Sequence, residues 1–199
     1  MAGRYLEVLS TPEVLGQQLK YQGRKQVIPP QAEVDPLTPE EIEFIGRRDS
    51  FYLASVSSSG WPYMQHRGGK IGFLQVVSPT RLAFADYKGN RQLLTTGNVQ
   101  TNDRVSLFLM DYPERTRLKI LGHAKVEDAR EHPELVSRFA RPEDQRLVER
   151  IFLIEVVSFD WNCQQHIAPR YTAEEVATAV QPLRDRIAEL EAQLSKRSI

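Results

Sequence analysis

Two short polar stretches of the sequence combine cations with glycines, residue types that together can hold a phosphate. In the first, "YMQHRGGK", His66 and Arg67 are followed at once by Gly68 and Gly69. Adjacent glycines let the backbone approach a flat or anionic ligand closely, and a neighbouring arginine can bind a phosphate through paired hydrogen bonds. A glycine turn between solvated charges has the same composition, so this stretch alone leaves both interpretations open.

The second stretch, "FADYKGNRQLL", is an apolar strand end that breaks at Gly89 and restarts as a helix with Arg91 near its beginning. The first turn of a helix carries unpaired N–H groups and a positive dipole end, and both favour a bound anion. The stretch therefore predicts a phosphate-binding turn formed by Gly89, Asn90, Arg91 and Gln92. A simple N-cap by Asn90 explains the same residues without any ligand.

Two later stretches add further cations and hydrogen-bond donors. In "TRLKILG", Arg117 and Lys119 alternate with apolar residues, so both cations face the same side of a predicted strand. A solvated strand face would look the same. After the last strand, "FDWNCQQHIAPRY" supplies polar groups beside an indole that suit the edge of a planar heteroaromatic ring: Trp161, Gln165, His166 and Arg170. A tryptophan that plugs the end of a barrel is the alternative.

Other chemistry in the sequence is sparse. The single cysteine, Cys163, excludes an internal disulfide, and its C-x-x-H spacing with His166 lacks the second ligand pair of a zinc site. The sequence contains no G-x-S-x-G elbow, P-loop, H-E-x-x-H or Rossmann glycine motif. We therefore assign no catalytic residue and no metal ligand. The lone thiol fits a reducing, cytoplasmic setting.

Composition limits the partners of the chain. Its 199 residues contain 26 Lys and Arg against 26 Asp and Glu, which does not give the basic face that duplex nucleic acid requires. No apolar run approaches the ~20 residues that span a bilayer. We expect neither nucleic acid nor a membrane as a partner.

The order of patterns predicts one mainly β domain between helical ends. Residues 1–36 begin with a helix capped at Thr11 and continue as a proline-rich extended arm. Thr38 and Glu41 have the spacing of a capping box that opens a second helix. Closely spaced β-rich segments follow from Phe51, which favours an antiparallel barrel or sandwich because parallel crossovers need longer connections.

Helical segments interrupt and follow this β region. Residues 131–150 are predicted to be helical with a break near Pro142, before a last apolar strand. Thr172 opens a C-terminal helix whose apolar residues step by four and three, as in a coiled-coil seam or a stripe lying on a core. Pro182 is expected to kink or restart that helix. The predicted domains are residues 1–36, 37–171 and 172–199.

Taken in order, these motifs resemble the pyridoxamine 5'-phosphate oxidase-like family of FMN-binding split-barrel proteins. The similar segments are "FYLASVSSSGWPYMQHRGG", "LAFADYKGNRQ", "NDRVSLFLMD", "LKILGHAKV" and "FDWNCQQHIAPRY". The resemblance implies a mainly β fold, a six-stranded antiparallel split barrel with flanking helices, an N-terminal extension and a C-terminal helix. It also implies a homodimer with FMN in a cleft at the interface.

The resemblance assigns the predicted site residues to FMN. The first wall of the cofactor site would contain His66, Arg67, Gly68 and Gly69, and the phosphate turn would contain Gly89, Asn90, Arg91 and Gln92. The cofactor-facing strand would supply Arg117 and Lys119. The C-terminal segment of the other subunit would bring Trp161 and Arg170 to the flavin, together with Gln165 and His166.

Two departures separate the chain from the oxidase itself. In the oxidase an Arg-x-His pair before the final arginine binds the phosphate of the vitamin B6 substrate, whereas this chain has His166 and Ala168 there. Gln92 stands where the oxidase has a lysine. The implied function is an FMN-dependent oxidoreductase that acts on an unknown small molecule or electron donor. A non-enzymatic flavin- or haem-binding sensing or storage protein, and a structural dimer without cofactor, are the alternatives.

Overall fold

Seven β-rich segments pair as strands in a computed structural model of the chain, which describes residues 3–162 and 164–197. The strands are β1 (Ser50–Val56), β2 (Pro62–Gly68), β3 (Gln75–Ser78), β4 (Arg81–Tyr87), β5 (Arg104–Asp111), β6 (Thr116–Asp128) and β7 (Val148–Asn162). Every pairing is antiparallel, in the order β2-β1-β5-β6-β7-β4-β3. The predicted fold class is confirmed, with seven strands in place of six because the four-residue β3 also pairs, at one edge.

The sheet curls strongly around its core. Four strand spacings separate β1 from β4, which would place them about 19 Å apart in a flat sheet. The rings of Phe51 on β1 and Phe84 on β4 nevertheless lie 5.4 Å apart between centroids. The inner faces of the strands therefore enclose one apolar cluster, whose fully buried members include Leu53, Leu107, Leu118, Ile120 and Phe152.

Helices flank the strands: α1 (Gly3–Leu9), α2 (Pro12–Gln22), α3 (Pro39–Gly46), α4 (Leu94–Thr101), α5 (Pro133–Phe139) and α6 (Ala173–Arg197). The predicted N-cap at Thr11 and the capping box of Thr38 and Glu41 are both confirmed. On the outer side of β4 and β7, α5 packs Val136 and Phe139 into a second, smaller apolar cluster. This second cluster fixes the segment that leads into β7.

Two helical predictions need correction. Within residues 131–150 the helix ends at Phe139, a 3-10 turn occupies Gln145–Leu147, and β7 already begins at Val148 because that residue pairs with Tyr87. In the C-terminal segment, a restart at Pro182 is wrong because α6 includes the proline within a single 25-residue helix, and the alternative of a kink there stays a prediction.

The chain forms two compact units. One unit contains the N-terminal arm, α1 to α5 and the sheet. The other contains residues 112–115 and the segment from Gln165 onward, with α6. Among the residues that the structure describes, no helix combines the length and the apolar character needed to cross a membrane.

Candidate functional site

The two ends of the curled sheet meet at a buried cluster of charges. Arg67, on the edge strand β2, donates from Nη1 to Oδ1 of Asp86 near the end of β4. The other carboxylate oxygen, Oδ2, accepts a hydrogen bond from Nε of Arg150 on β7 at 2.8 Å. Since only 9% of the Asp86 side chain is exposed, this carboxylate holds two arginines in place where the sheet closes.

Packing immobilises Arg67 but leaves part of its hydrogen-bonding capacity unused. Its guanidinium carbon lies 5.7 Å and 5.2 Å from the ring centroids of Phe84 and Phe152. Its Nε is buried and has no hydrogen-bond partner within the described part of the chain. Burial lowers the pKa of Arg67 from its ordinary value, while Asp86 opposes that shift. Because an arginine in a protein keeps its proton, the site contains a fixed cation with a spare donor.

The turn that leads into α4 is strained and lacks a side-chain cap. Arg91 and Leu93 have φ angles of 60° and 56°, in the left-handed region where non-glycine residues are strained. Leu93 is the N-cap residue of α4, and no side chain caps the helix. Asn90 accepts from the N–H of Gln92 at 3.1 Å instead, so the alternative that Asn90 is a simple N-cap is wrong.

These groups converge on a cleft that we call the arginine cleft. Its lining consists of Gln65, Arg67, Asp86, Tyr87, Gly89, Asn90, Arg91, Arg150 and residues 93–96. The volume of about 50 Å³ suits a small anion. Arg91 is 63% exposed, and its Nη2 lies 3.7 Å from Oε1 of Glu149. With three arginines against Asp86 and Glu149, the cleft carries a net charge of +1.

A larger cavity, the Lys70 cavity, shares Tyr87 with the arginine cleft. Its volume of about 480 Å³ lies within the usual range of small-molecule sites. The lining combines apolar and charged groups: Gly68, Gly69, Lys70, Ile71, Gly72, Phe73, Gln75, Ala85, Tyr87, Arg138, Phe139, Ala140, Arg141, Asp144 and Leu147. A hydrogen bond from Lys70 Nζ to Glu143, at 3.1 Å, raises the pKa of Lys70.

The glycine pair of the first motif lines this cavity, and one of the two glycines is required by packing within the chain. A Cβ atom at Gly69 would lie 2.7 Å from the ring of Phe73. Neither Gly68 nor Gly69 has a positive φ angle. The missing side chain at Gly69 therefore leaves room for the phenyl ring of Phe73 in the same chain.

Trp161 is bound to a different part of the sheet. Its Nε1 donates to Oε1 of Glu41 at 2.6 Å, and its ring packs edge-on against Phe44 with centroids 4.8 Å apart. Glu41 is buried, and its Oε2 also accepts from the backbone N–H and the hydroxyl of Thr38. We call Trp161, Glu41, Phe44 and Thr38 the tryptophan corner. The indole N–H is thus already used within the chain.

The other sheet residues of the prediction lie outside both cavities. Lys119 pairs with Asp160 at 2.8 Å and lies 4.6 Å from the ring centroid of Tyr5. Arg117, on the same strand, has a buried Nε without a partner in the described residues. His66 is exposed and packs edge-on against Tyr52, on the face of β2 opposite to Arg67.

Three predicted residues belong to the second unit, and Cys163 lies outside the described residues. His166 has a φ angle of 63°, and the guanidinium carbon of Arg170 lies 4.8 Å from the ring centroid of Tyr112. Gln165 precedes them in the same unit. Contacts of Gln165, His166 and Arg170 with a cofactor stay predictions.

The sequence prediction omitted Asp86 and Arg150. Arg150 stands immediately before the apolar run "IFLI", and no pattern in the sequence marks it as a site residue. Its partnership with Asp86 depends on the register of β4 against β7, which brings the two residues opposite each other. Gln92, which was included, hydrogen-bonds with Asn90 and does not line the arginine cleft.

Several solved structures are similar to the chain over most of their own length. The chain resembles a putative pyridoxamine 5'-phosphate oxidase from Lactobacillus delbrueckii with 20% identity and a TM-score of 0.49, over 63% of this chain and 93% of the other. The chain also resembles general stress protein 26 from Bacillus anthracis, with 15% identity and a TM-score of 0.46, over 61% of this chain and 91% of the other. A conserved hypothetical protein from Mycobacterium tuberculosis is similar with 17% identity and a TM-score of 0.49, over 72% of this chain and 95% of the other.

No curated protein matches the chain. The family model described as pyridoxamine 5'-phosphate oxidase matches residues 37–151, which is more than half of the sequence. This span runs from the cap of α3 through the arginine cleft to the first residues of β7. The chain belongs to the pyridoxamine 5'-phosphate oxidase family.

Proposed function

We propose that the protein is an FMN-binding oxidoreductase that acts on a small molecule as a homodimer. The observation that carries the proposal is the arginine cleft, where Arg67, Arg91 and the uncapped start of α4 converge. Backbone N–H groups at a helix start and planar guanidinium groups are both typical phosphate ligands. A flavin phosphate fits this set of donors better than a neutral ligand does.

The strain and the guanidinium groups of the cleft support an anionic ligand. Arg91 and Leu93 retain left-handed backbone angles without glycine, and such strain clusters at ligand sites. Arg67 lines the cleft and is held by Asp86, and its planar guanidinium is a typical phosphate ligand. The net charge of +1 in the cleft is offset by a bound phosphate. We therefore assign the phosphate to Arg67, Arg91 and the N–H groups at residues 94–96.

FMN, when bound, supplies hydride or single-electron transfer, which the side chains of the protein cannot perform. The chain's own contribution is binding and orientation. Asp86 holds Arg67 and Arg150 in fixed positions, so the phosphate ligands are organised before binding. The Lys70 cavity, which shares the lining residue Tyr87 with the cleft, is the proposed space for the substrate.

The charges of the Lys70 cavity indicate an anionic substrate. Lys70, Arg138 and Arg141 outnumber Asp144 in the lining and Glu143, which pairs with Lys70, by three charges to two. Apolar surface, with Phe73 and Phe139 among its members, completes the wall, as is usual where an orienting charge accompanies a carbon skeleton. The vitamin B6 phosphate is disfavoured as that substrate because His166 and Ala168 stand where the oxidase has its Arg-x-His pair.

Exposed apolar side chains on the sheet support the proposed homodimer. Tyr52 and Met64 on the outward face of β1 and β2 are exposed. A second copy that covers this face would bury these side chains. The cytoplasmic setting stays a prediction.

Replacing Arg91 by Ala tests the assignment of the cleft. We expect Arg91→Ala to weaken FMN binding by ~1.5–3 kcal/mol because a charge-assisted hydrogen bond is lost. Fluorescence titration of the protein stripped of flavin measures this. Arg81→Ala is the matched control, since Arg81 is also about half exposed and paired with a glutamate, Glu155, away from both cavities.

The control should leave FMN affinity unchanged. Equal affinities for FMN in the wild type and in Arg91→Ala would remove Arg91 from the site. An absorption spectrum of the purified protein separates flavin from haem, and anaerobic titration with NADH or NADPH tests whether the bound flavin can be reduced.

A further inference from the structure

The apolar residues of α6 form a single uninterrupted seam. Every Val, Leu and Ile of the helix lies on it: Val176, Val180, Leu183, Ile187, Leu190 and Leu194. Their spacing of four and three assigns Val180, Ile187 and Leu194 to heptad position a and the other three to position d. All except Val180 are more than 40% exposed in the chain. The seam therefore carries apolar surface that a partner helix could bury.

Pro182 is compatible with this seam. It occupies heptad position c, and the carbonyl of Thr178, which loses its hydrogen-bond donor there, is at position f. Both positions face away from positions a and d. The helix stays continuous at this point, so the proline leaves the apolar face intact.

Charges beside the seam select both the partner and its direction. In a parallel pair of identical helices, the g residue Arg186 faces the e residue Glu191 of the other copy, giving two attractive contacts per pair. In an antiparallel pair whose helices overlap fully, Arg184 of one copy would face Arg184 of the other copy. Arg186 would likewise face its own counterpart. Like charges at such positions disfavour pairing, so the charge pattern favours the parallel arrangement.

The choice of apolar residues agrees with the charges. Two of the three a residues, Val180 and Ile187, are β-branched, and two of the three d residues, Leu183 and Leu190, are leucine. Branched residues at a with leucine at d favour parallel two-stranded coiled coils. We propose that α6 pairs with α6 of a second copy of this chain as a parallel two-stranded coiled coil.

This inference rests on the homodimer of the proposed function for its stability. Fewer than three full heptads give marginal helix pairing by themselves. When two barrels already associate, their C-terminal helices are held at a high effective concentration. A helix pair that is weak by itself is then formed in most of the dimers. The contact of Arg186 with Glu189 on its own helix, at 2.8 Å, is exposed and therefore a weak competitor.

Cysteine crosslinking in the full-length protein tests the geometry. In a Cys163→Ser background, Leu190→Cys places a thiol at a d position, and Ala192→Cys places one at the outward f position two residues away. A disulfide needs Cβ atoms within about 4.5 Å, so we expect Leu190→Cys to crosslink at least on the order of tenfold faster than Ala192→Cys. Leu183→Cys, at another d position, should behave like Leu190→Cys.

Charge substitutions provide a second, independent readout. Arg186→Glu in the Leu190→Cys protein should slow crosslinking, because the substituted carboxylate would face Glu191 of the other copy, and the further change Glu191→Arg should restore the rate. Equal rates at positions 190 and 192, or no crosslink at either d position, would overturn the coiled coil.

Flavin absorbance and light scattering on the same samples separate the two proposals. A flavin-containing dimer without preferential crosslinking rejects only the coiled coil, whereas rapid crosslinking without retained FMN rejects only the cofactor.

Discussion

The arginine cleft and the tryptophan corner each contain a buried carboxylate and nearby hydrogen-bond donors but use them differently. At the tryptophan corner the indole N–H and both carboxylate oxygens of Glu41 form hydrogen bonds inside the chain, at distances of 2.6 to 2.8 Å. In the arginine cleft Arg67 keeps a buried donor without a partner in the described residues, and no side chain caps α4. Residue type therefore identifies candidates in both regions, and bonding capacity left over within the described residues distinguishes the arginine cleft from the tryptophan corner.

Backbone conformation separates the two regions in the same way. The tryptophan corner begins with a regular capping box at Thr38, which needs no unusual angles. The arginine cleft contains two left-handed non-glycine residues, Arg91 and Leu93. Strain of this kind lowers stability and persists where the surrounding structure or a ligand requires it. The first region therefore contributes to stability, and the strain of the second agrees with the proposed phosphate site.

The largest expected effect comes from removing the carboxylate of the tryptophan corner. Glu41→Ala leaves the indole N–H of Trp161 without its acceptor, at a cost on the order of 1–3 kcal/mol, and removes one bond of the capping box at Thr38, at a cost of about 1 kcal/mol. We expect the free energy of unfolding to fall by about 3 kcal/mol, measured by urea denaturation. Glu40→Ala, at an exposed neighbouring position of α3, is the control and should cost less than about 1 kcal/mol.

FMN affinity should not change in folded Glu41→Ala protein. A variant that keeps its stability but loses the flavin would reverse the comparison, since it would make the tryptophan corner part of the binding site.

A smaller effect is expected from a conservative change in the arginine cleft. Arg67→Lys keeps the charge but loses the planar donor pair and the stacking on Phe84 and Phe152. We expect FMN binding to weaken by about 1–2 kcal/mol, or roughly five- to thirtyfold. Isothermal titration measures it, with Arg81→Lys as the control that should bind FMN like the wild type.

An unchanged FMN affinity in Arg67→Lys would mean that a point charge suffices there. Arg91 would then carry the directional contacts with the phosphate.

Local patterns in the sequence predicted the elements well, because capping and alternation act over a few residues. The capping boxes at Thr38 and Thr172 and the hairpin of β1 and β2 all follow from neighbours in sequence. The arginine cleft combines β2, β4, α4 and β7, so its full membership depends on how the sheet curls. Asp86 and Arg150 illustrate this limit, since only the register of two strands places one opposite the other.

The sequence also could not reveal which side chains are already occupied. Lys119 and Trp161 have the right chemistry for a flavin site, yet Asp160 and Glu41 bind them within the chain. These partners lie 41 and 120 positions away along the sequence, beyond the reach of any local pattern. Predicting a site residue therefore requires knowledge of its competing partners as well as of its chemistry.

The smallest expected effect, and the sharpest test of the comparison, is Trp161→Phe. A phenyl ring keeps much of the packing against Phe44 but cannot donate to Glu41, so we expect unfolding to become easier by about 1 kcal/mol. Trp61→Phe, at a highly exposed position in the hairpin of β1 and β2, is the matched control and should change neither stability nor flavin binding. If Trp161 serves its own chain, the FMN affinity of Trp161→Phe equals that of the wild type. A loss of FMN affinity at constant stability would instead place the indole against the flavin, and with it the C-terminal end of β7 in the cofactor site.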